Sequence, residues 1–441
     1  MRFMKFGKAL LMSALSAGGI LGITSCVQSY TVGYLWVTGT NTAATTGNGI
    51  ISGFKIDHNT GFLTPINGLP ISSGGANPGR FVVLTGGRFV YVLNRGVNKE
   101  GGAVCTTADP CLNPNITQFA IGGNGILTPQ ETFYTQGINP FRIIADSSGN
   151  YIYVLDHDSP SGASCALTLG PGVNACGDIT AFQVNGATGR LTLIVNSQVT
   201  AANGSPLPYF PVPANPIDFV LASGFIETLV GTPSTGDFAF PYTYTPSTGQ
   251  LTVNQNSTQP LNILQGTAIV SGGGYVYALD NESITANGIT SPSQFIPYAV
   301  GANGALQQQT GGPVPDDPTL SNPIYLIYET KNKWVYVANQ GNNNTSTGNT
   351  QSGLAGYVID PLTHQLSEIP GSPWGTGAGP QCLLEDPSNQ FIFTANFNDS
   401  TVTGRVIDQN SGVLDNLPGP ANITYPLLGP AAWCVASGRT S

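Results

Sequence analysis

Asn59-Thr60-Gly61-Phe62-Leu63 is a turn that delivers the chain into a strand led by Leu, and six related stretches follow it. They are Gly123-Asn124-Gly125-Ile126-Leu127, Ala187-Thr188-Gly189-Arg190-Leu191, Ser247-Thr248-Gly249-Gln250-Leu251, Ala302-Asn303-Gly304-Ala305-Leu306, Leu362-Thr363-His364-Gln365-Leu366 and Asn410-Ser411-Gly412-Val413-Leu414. All but the sixth keep the Gly, the residue that takes positive φ in a hairpin turn without steric cost. An aliphatic strand leads in, as at Ile51-Ser52-Gly53-Phe54-Lys55-Ile56, so each copy predicts a β-hairpin. The copies lie roughly 58 residues apart on average, longer than the ~40–50 of common propeller repeats, which leaves room for long loops.

Two further marks keep a fixed order within each repeat. A Pro opens a short apolar strand at Pro78, Pro140, Pro216, Pro323, Pro380 and Pro430, with Gly266 standing in once. An aromatic-alternating strand follows at Phe89-Val90-Tyr91-Val92, Tyr151-Ile152-Tyr153-Val154, Tyr275-Val276-Tyr277-Ala278, Trp334-Val335-Tyr336-Val337 and Phe391-Ile392-Phe393-Thr394, and more weakly at Phe225-Ile226-Glu227-Thr228. With the hairpin this makes four strands per repeat. The first repeat begins at Tyr34-Leu35-Trp36-Val37 without its Pro strand, and the chain ends with a spare one from Pro430 to Val435. The expected fold is therefore all-β, a seven-bladed β-propeller over residues 34–441 whose C-terminal strand completes the N-terminal blade and removes the open edge.

Composition agrees. Charged residues make up 8% of the 441, against about 25% in an average soluble domain, while Gly (57) and Pro (33) are abundant. That mixture favours strands and tight turns over long solvated helices. A net charge of −9 argues against nucleic acid as a partner.

The first residues read as an address. Arg2, Lys5 and Lys8 precede an apolar stretch from Ala9 to Ile23, the layout of a secretory signal, too short to span a membrane comfortably. Ile23-Thr24-Ser25-Cys26 resembles the lipobox of bacterial lipoproteins, which implies removal of residues 1–25, lipidation of Cys26 and a short tether over 26–33. The alternative is an ordinary secretory signal with an incidental Cys. Val27 rather than Asp favours the outer membrane under the enterobacterial sorting rule. The six remaining cysteines are an even set in an exported chain, which favours disulfides. Cys105 with Cys111, and Cys165 with Cys176, are each expected to staple their own loop between second and third strands. Cys382 and Cys434 lie on inner strands of the last and closing blades, where a bond would lock the ring and two buried thiols would also fit.

The Pro-led inner strand, the aromatic second strand and the Thr-Gly-x-Leu hairpin, seven times over, resemble the seven-bladed lactonase family, which includes propeller-type 6-phosphogluconolactonases and carboxymuconate cyclases. The resemblance covers essentially residues 34–436. Its motifs are structural, so it implies the fold more firmly than an activity.

Candidate chemistry sits where inner strands line the channel. The second residue after each opening Pro (or Gly266) is Arg80, Arg142, Asp218, Ala268, Tyr325, Cys382 and Ala432 around the ring. Two Arg beside an Asp suggest a clamp for a carboxylate or phosphate, with Tyr325 nearby; the competing reading is a buried ion pair that only bridges strands. Lactone hydrolysis needs a base and an oxyanion donor. His157, in Asp156-His157-Asp158, is the best base, its two flanking carboxylates expected to orient the ring, although a loop His without a role is an ordinary occurrence. His58 and His364 belong to outer turns. Asn94, Asp156, Asp280, Asn339 and Asn396 follow the second strand in five blades, a repetition that favours strand-end capping. Asp280-Asn281-Glu282 and Asp156-His157-Asp158 lack the spacing of a known cation loop, so no metal and no cofactor are expected. The family's lactonases commonly carry His near the start of inner strands where this chain has Arg80 and Arg142. That departure leaves two readings: a lipid-anchored, lactonase-like propeller with a small anionic or polyhydroxylated ligand in its channel, or a non-catalytic envelope protein whose loop face meets a protein or glycan. Either is expected to be a monomer that touches membrane only through its lipid.

Overall fold

In the computed structural model, the residues described are 30–41, 48–100, 102–232, 235–253, 259–286, 288–331, 333–342, 351–420 and 423–439. Cys26, with the expected signal and the first half of the tether, lies outside them. Seven antiparallel sheets follow one another around a ring. In blade 2 the strands run Pro78–Val83, Phe89–Asn94, Asn115–Ile121 and Leu127–Phe133, from the channel outward. Five blades add a short fifth strand on the third, as Phe210–Pro213 does on Cys176–Val184 in blade 3.

Ring closure is as expected. The last strand, Ala431–Gly438, pairs antiparallel with Thr31–Thr40, aligning Val37 with Cys434 and Trp36 with Val435. The first strand begins at Thr31, so the end of the expected tether is already part of blade 1. Cys382 and Cys434 are bonded, with Cα atoms 5.8 Å apart, and both are buried. The hairpin turns also hold: Gly61, Gly125, Gly189, Gly249, Gly304 and Gly412 all have positive φ, and His364 takes φ 57° where the sixth copy has no Gly.

Each blade is apolar on both faces, and the core is accordingly split into seven clusters, one per junction between neighbouring blades. Among the largest fully buried side chains, Trp36, Tyr91, Tyr153, Tyr336 and Phe393 come from the aromatic strands. All five Asx residues are buried, and four of them, all but Asn339, bond from the second strand to the third rather than closing turns of their own. Asn94 bonds Asn115 and Ser73, Asp156 accepts from Thr180, Asp280 from Gln294, and Asn396 donates to Thr403.

Both stapled loops formed as expected, Cys105–Cys111 and Cys165–Cys176. The second carries an unforeseen short helix, Gly162–Leu169. Strand order puts these loops on the face where the inner strands begin, because second strands end there.

Candidate functional site

The opening Pro of each inner strand is followed by a break in pairing register. Leu155 pairs with Arg142 but Asp156 with Pro140, which leaves Phe141 as an extra residue. Pairing likewise skips Ile217, Thr267, Ile324 and Gln381. On the closing strand it skips Ala432, since Thr38 pairs with Trp433 and Gly39 with Ala431. Such bulges re-aim side chains. Phe141, Thr267, Ile324, Gln381 and Ala432 all line one cavity of about 400 Å³ at the mouth where the inner strands start.

The next residue of each inner strand sits deeper and forms the cluster the sequence indicated. Asp218 is fully buried and receives Arg80 through two hydrogen bonds of 2.7 Å each. Arg142 Nε approaches the same carboxylate at 3.4 Å. Arg80 is further held between rings, its guanidinium carbon 4.5 Å from the Trp433 centroid and 5.6 Å from that of Tyr325, and those two rings meet edge to face at 4.8 Å. The expected position on the closing strand was Ala432; there Ala431 rather than Pro430 takes the place before the bulge, so Trp433 stands at that position instead. Arg80 and Trp433 also line a second cavity of about 470 Å³, which Tyr325, Asp146 and Glu385 line from the other side. The Arg80–Trp433–Tyr325 group thus partitions the channel.

The geometry divides the Arg-Asp cluster between its two arginines. Arg80 is a structural strut, its charge matched by Asp218. Arg142 has only the longer contact with Asp218 and lines the first cavity, as does Arg95, which follows Asn94 at the end of the aromatic strand. Burial lowers the pKa of both; Arg142 falls to about 10, with the neighbouring charge of Arg80 adding to the effect. No Asp or Glu is among the described residues lining this cavity. Three guanidinium groups against one buried carboxylate leave an excess of positive charge facing a pocket of small-molecule size, inside a chain whose net charge is −9.

His157 is not in the cavity wall. Its ring stands 6.2 Å from Phe141, which is, and its Nδ1 is 3.2 Å from Asp158. Asp156 does not flank the ring as expected. It turns into the blade, where its strand partner is Asp178, and burial raises both carboxyl pKa values, that of Asp156 to about 7. Among the described residues no group of three or more His, Cys, Asp or Glu side chains is placed to hold a metal ion.

Arg95, Gln381 and Trp433 were missed by the sequence reading. A basic residue at Arg95 is a usable signal in so uncharged a chain. Gln381 and Trp433 depended on where the bulge falls.

Comparison with known proteins places this architecture. A sequence profile described as "Lactonase, 7-bladed beta-propeller" matches residues 48–167 and 307–418, more than half of the chain. No curated relative matches by sequence. Among solved structures, a candidate 6-phosphogluconolactonase from Bacteroides uniformis superposes with a TM-score of 0.62 at 13% identity, covering 92% of this chain and 100% of that one. The periplasmic gluconolactonase of Pseudomonas aeruginosa gives 0.61 at 16% identity, covering 93% and 100%. A Lactobacillus plantarum protein gives 0.60 at 16%, covering 92% and 99%. At such identities the likeness is one of fold.

Proposed function

The chain belongs to the seven-bladed β-propeller lactonase family, and from that premise we propose that it binds a small anionic, sugar-acid-like or lactone-like molecule in the channel cavity beside Arg95 and Arg142. The observation that carries this reading is the excess of guanidinium over carboxylate at the cavity. Arg142 and Arg95 would receive a carboxylate through charge-assisted hydrogen bonds, and Phe141 and Trp433 offer apolar walls for the ligand's body.

The same donors suit hydrolysis of a lactone. Addition of water to the lactone carbonyl carbon places negative charge on the carbonyl oxygen, which a fixed guanidinium stabilises most where bulk water is sparse; the ring C–O bond then breaks and the departing alkoxide takes up the proton that the base removed from the water. The water needs a base. His157, oriented by Asp158 at the rim, would serve by delivering hydroxide across Phe141, and no nearer His is available among the cavity-lining residues. The half-exposed placement of His157 and the two stapled loops on the same mouth support the second reading, a binding propeller that has kept the anion pocket without turnover and presents its loops to an envelope protein or glycan.

A thermal-shift series tests the ligand class: the chain from Val27 onward against sugar lactones, aldonic acids and dicarboxylates, with Arg95→Ala/Arg142→Ala as control. Arg80 is a poorer control, because its removal strands Asp218. A true ligand at a hundredfold excess over its Kd stabilises by about 2.7 kcal/mol, and the double variant should abolish the gain. No shift with any compound would move the weight to the loop face. Weak or no turnover of a phosphorylated sugar lactone is expected of an exported protein; turnover at ordinary enzyme rates, lost in Arg142→Ala, would overturn that. Export and lipid anchoring at the outer membrane belong to the same reading. Cys26→Ser should release the protein from the membrane fraction, and a variant that still pelleted would count against the anchor.

A further inference from the structure

Four blades tie themselves to the next through one repeated hydrogen bond. The third residue of the aromatic strand donates to the carbonyl of the turn Gly in the neighbouring blade's outer hairpin. Trp36 Nε1 reaches Gly125 at 3.0 Å, Tyr91 reaches Gly189, Tyr153 reaches Gly249 at 2.9 Å and Tyr336 reaches Gly412 at 2.7 Å. Blade 4 has Glu227 at this place, third in Phe225–Val230 as Tyr153 is third in Tyr151–Asp158. Its counterpart turn residue is Gly304 of blade 5. A Cβ built on Gly304 would fall 3.0 Å from Phe225 and 3.2 Å from Glu227 Oε1, just as one on Gly249 would meet Tyr151, so the two turns are seated alike.

A carboxylate at this place has no proton to give. Glu227 is fully buried, and neither of its oxygens has a hydrogen-bond partner. Its strand neighbours are Val220 and Pro241. The titratable groups on the surrounding elements include Asp218, engaged with Arg80, Asp237 with Gly266, Tyr242 with the Pro211 carbonyl and Tyr244 with Asp146; the buried Tyr298 hydroxyl of blade 5 has no hydrogen-bond partner, and no charged neighbour acts on Glu227. An uncompensated buried charge is costly, whereas a protonated carboxyl placed against a carbonyl is satisfied.

We propose that Glu227 is kept as a neutral carboxylic acid that takes the tyrosine's place and donates its proton to the Gly304 carbonyl, making the junction of blades 4 and 5 a pH-sensitive latch in the ring. Burial alone raises the Glu227 pKa to about 8, with no charged neighbour contributing. The sign follows from that direction. The folded pKa lies above the unfolded one, so the stabilisation is complete below the ordinary carboxylate range, declines as pH rises, and is gone once pH has passed about 8. Blade 4 also carries Asp218, so the same junction backs the channel cluster.

The test compares the native chain with Glu227→Gln, whose amide keeps a donor and cannot titrate, and Glu227→Leu, which has none. Infrared difference spectra between pH 6 and pH 9.5 should show, beyond the bands that Asp156 and Asp178 contribute to all three proteins, one protonated carboxyl component lost in the native protein and missing from both variants. Amide exchange followed by mass spectrometry on peptides covering 225–244 and 298–308 should lose protection in the native protein, relative to Glu227→Gln, as pH passes about 8; Glu227→Leu should be unprotected at both ends. Between the unfolded and folded pKa values the native folding equilibrium should weaken about tenfold per pH unit relative to Glu227→Gln. A native profile identical to that of Glu227→Gln, or the same carboxyl band in both, would overturn the proposal.

Discussion

Asp218 holds two guanidinium groups while fully shielded from water. Removing it leaves Arg80 buried without its partner, the costly way to break a buried pair. Asp218→Ala is therefore expected to lose about 3–5 kcal/mol, read as a lower urea midpoint. Arg142→Ala removes a part-buried group whose one ion-pair contact is long, and should leave that midpoint nearly unchanged. The loss there belongs to ligand affinity, about 1.5–3 kcal/mol for a charge-assisted hydrogen bond, measurable by calorimetry with whichever anion the screen identifies. Arg80, Arg142 and Asp218 were legible because their offset from Pro is the same in three successive repeats. Arg95 lies just past the end of the second strand, and no offset from Pro leads to it.

At the scale of elements, turn chemistry was the most readable part of the chain. A turn that needs positive φ restricts its residue locally, whatever the rest of the protein does. Gly249→Ala should be destabilising by at least about 1–2 kcal/mol from left-handed backbone alone. The new Cβ would also run into the Tyr151 ring. His364→Ala, at a turn already built around a side chain with φ 57°, should cost clearly less, and the two unfolding midpoints compared directly check this. The bulges were not readable. A bulge inserts one residue into a period of two, so every side chain beyond it changes face, and neither Pro380-Gln381-Cys382 nor Pro430-Ala431-Ala432-Trp433 says where the extra residue falls.

The whole ring depends on joining its ends. Cys382 and Cys434 close a loop of 52 residues in sequence across the seam between blades 7 and 1. The entropic model assigns such a cross-link about 4 kcal/mol, so Cys382→Ser/Cys434→Ser should unfold at a distinctly lower urea concentration, with a lower melting temperature. Ionisation adds a second property of the whole. Burial raises the pKa of Asp316 to about 6, of Asp156 to about 7 and of Glu227 to about 8, each above its unfolded value. Each holds a proton in the folded chain that the unfolded chain has released, so stability should fall as pH rises from about 5 to about 8. Urea midpoints across that range are expected to decline, most steeply between about pH 5 and 6 where all three groups still hold their protons and more gently as each releases its own, and a rising profile would contradict the assignment of these groups as neutral acids.

The sequence by itself determined the number of blades, the order of strands and the way the ends meet, because repeats, turn residues and alternating aromatic strands act through local backbone physics and recur. Only the tertiary structure decided which residues face the cavity. Phe141, Gln381, Arg95 and Trp433 meet there from four different blades, brought to one mouth by bulges and by closure, and contacts between residues so distant in the chain leave no period in the sequence to read.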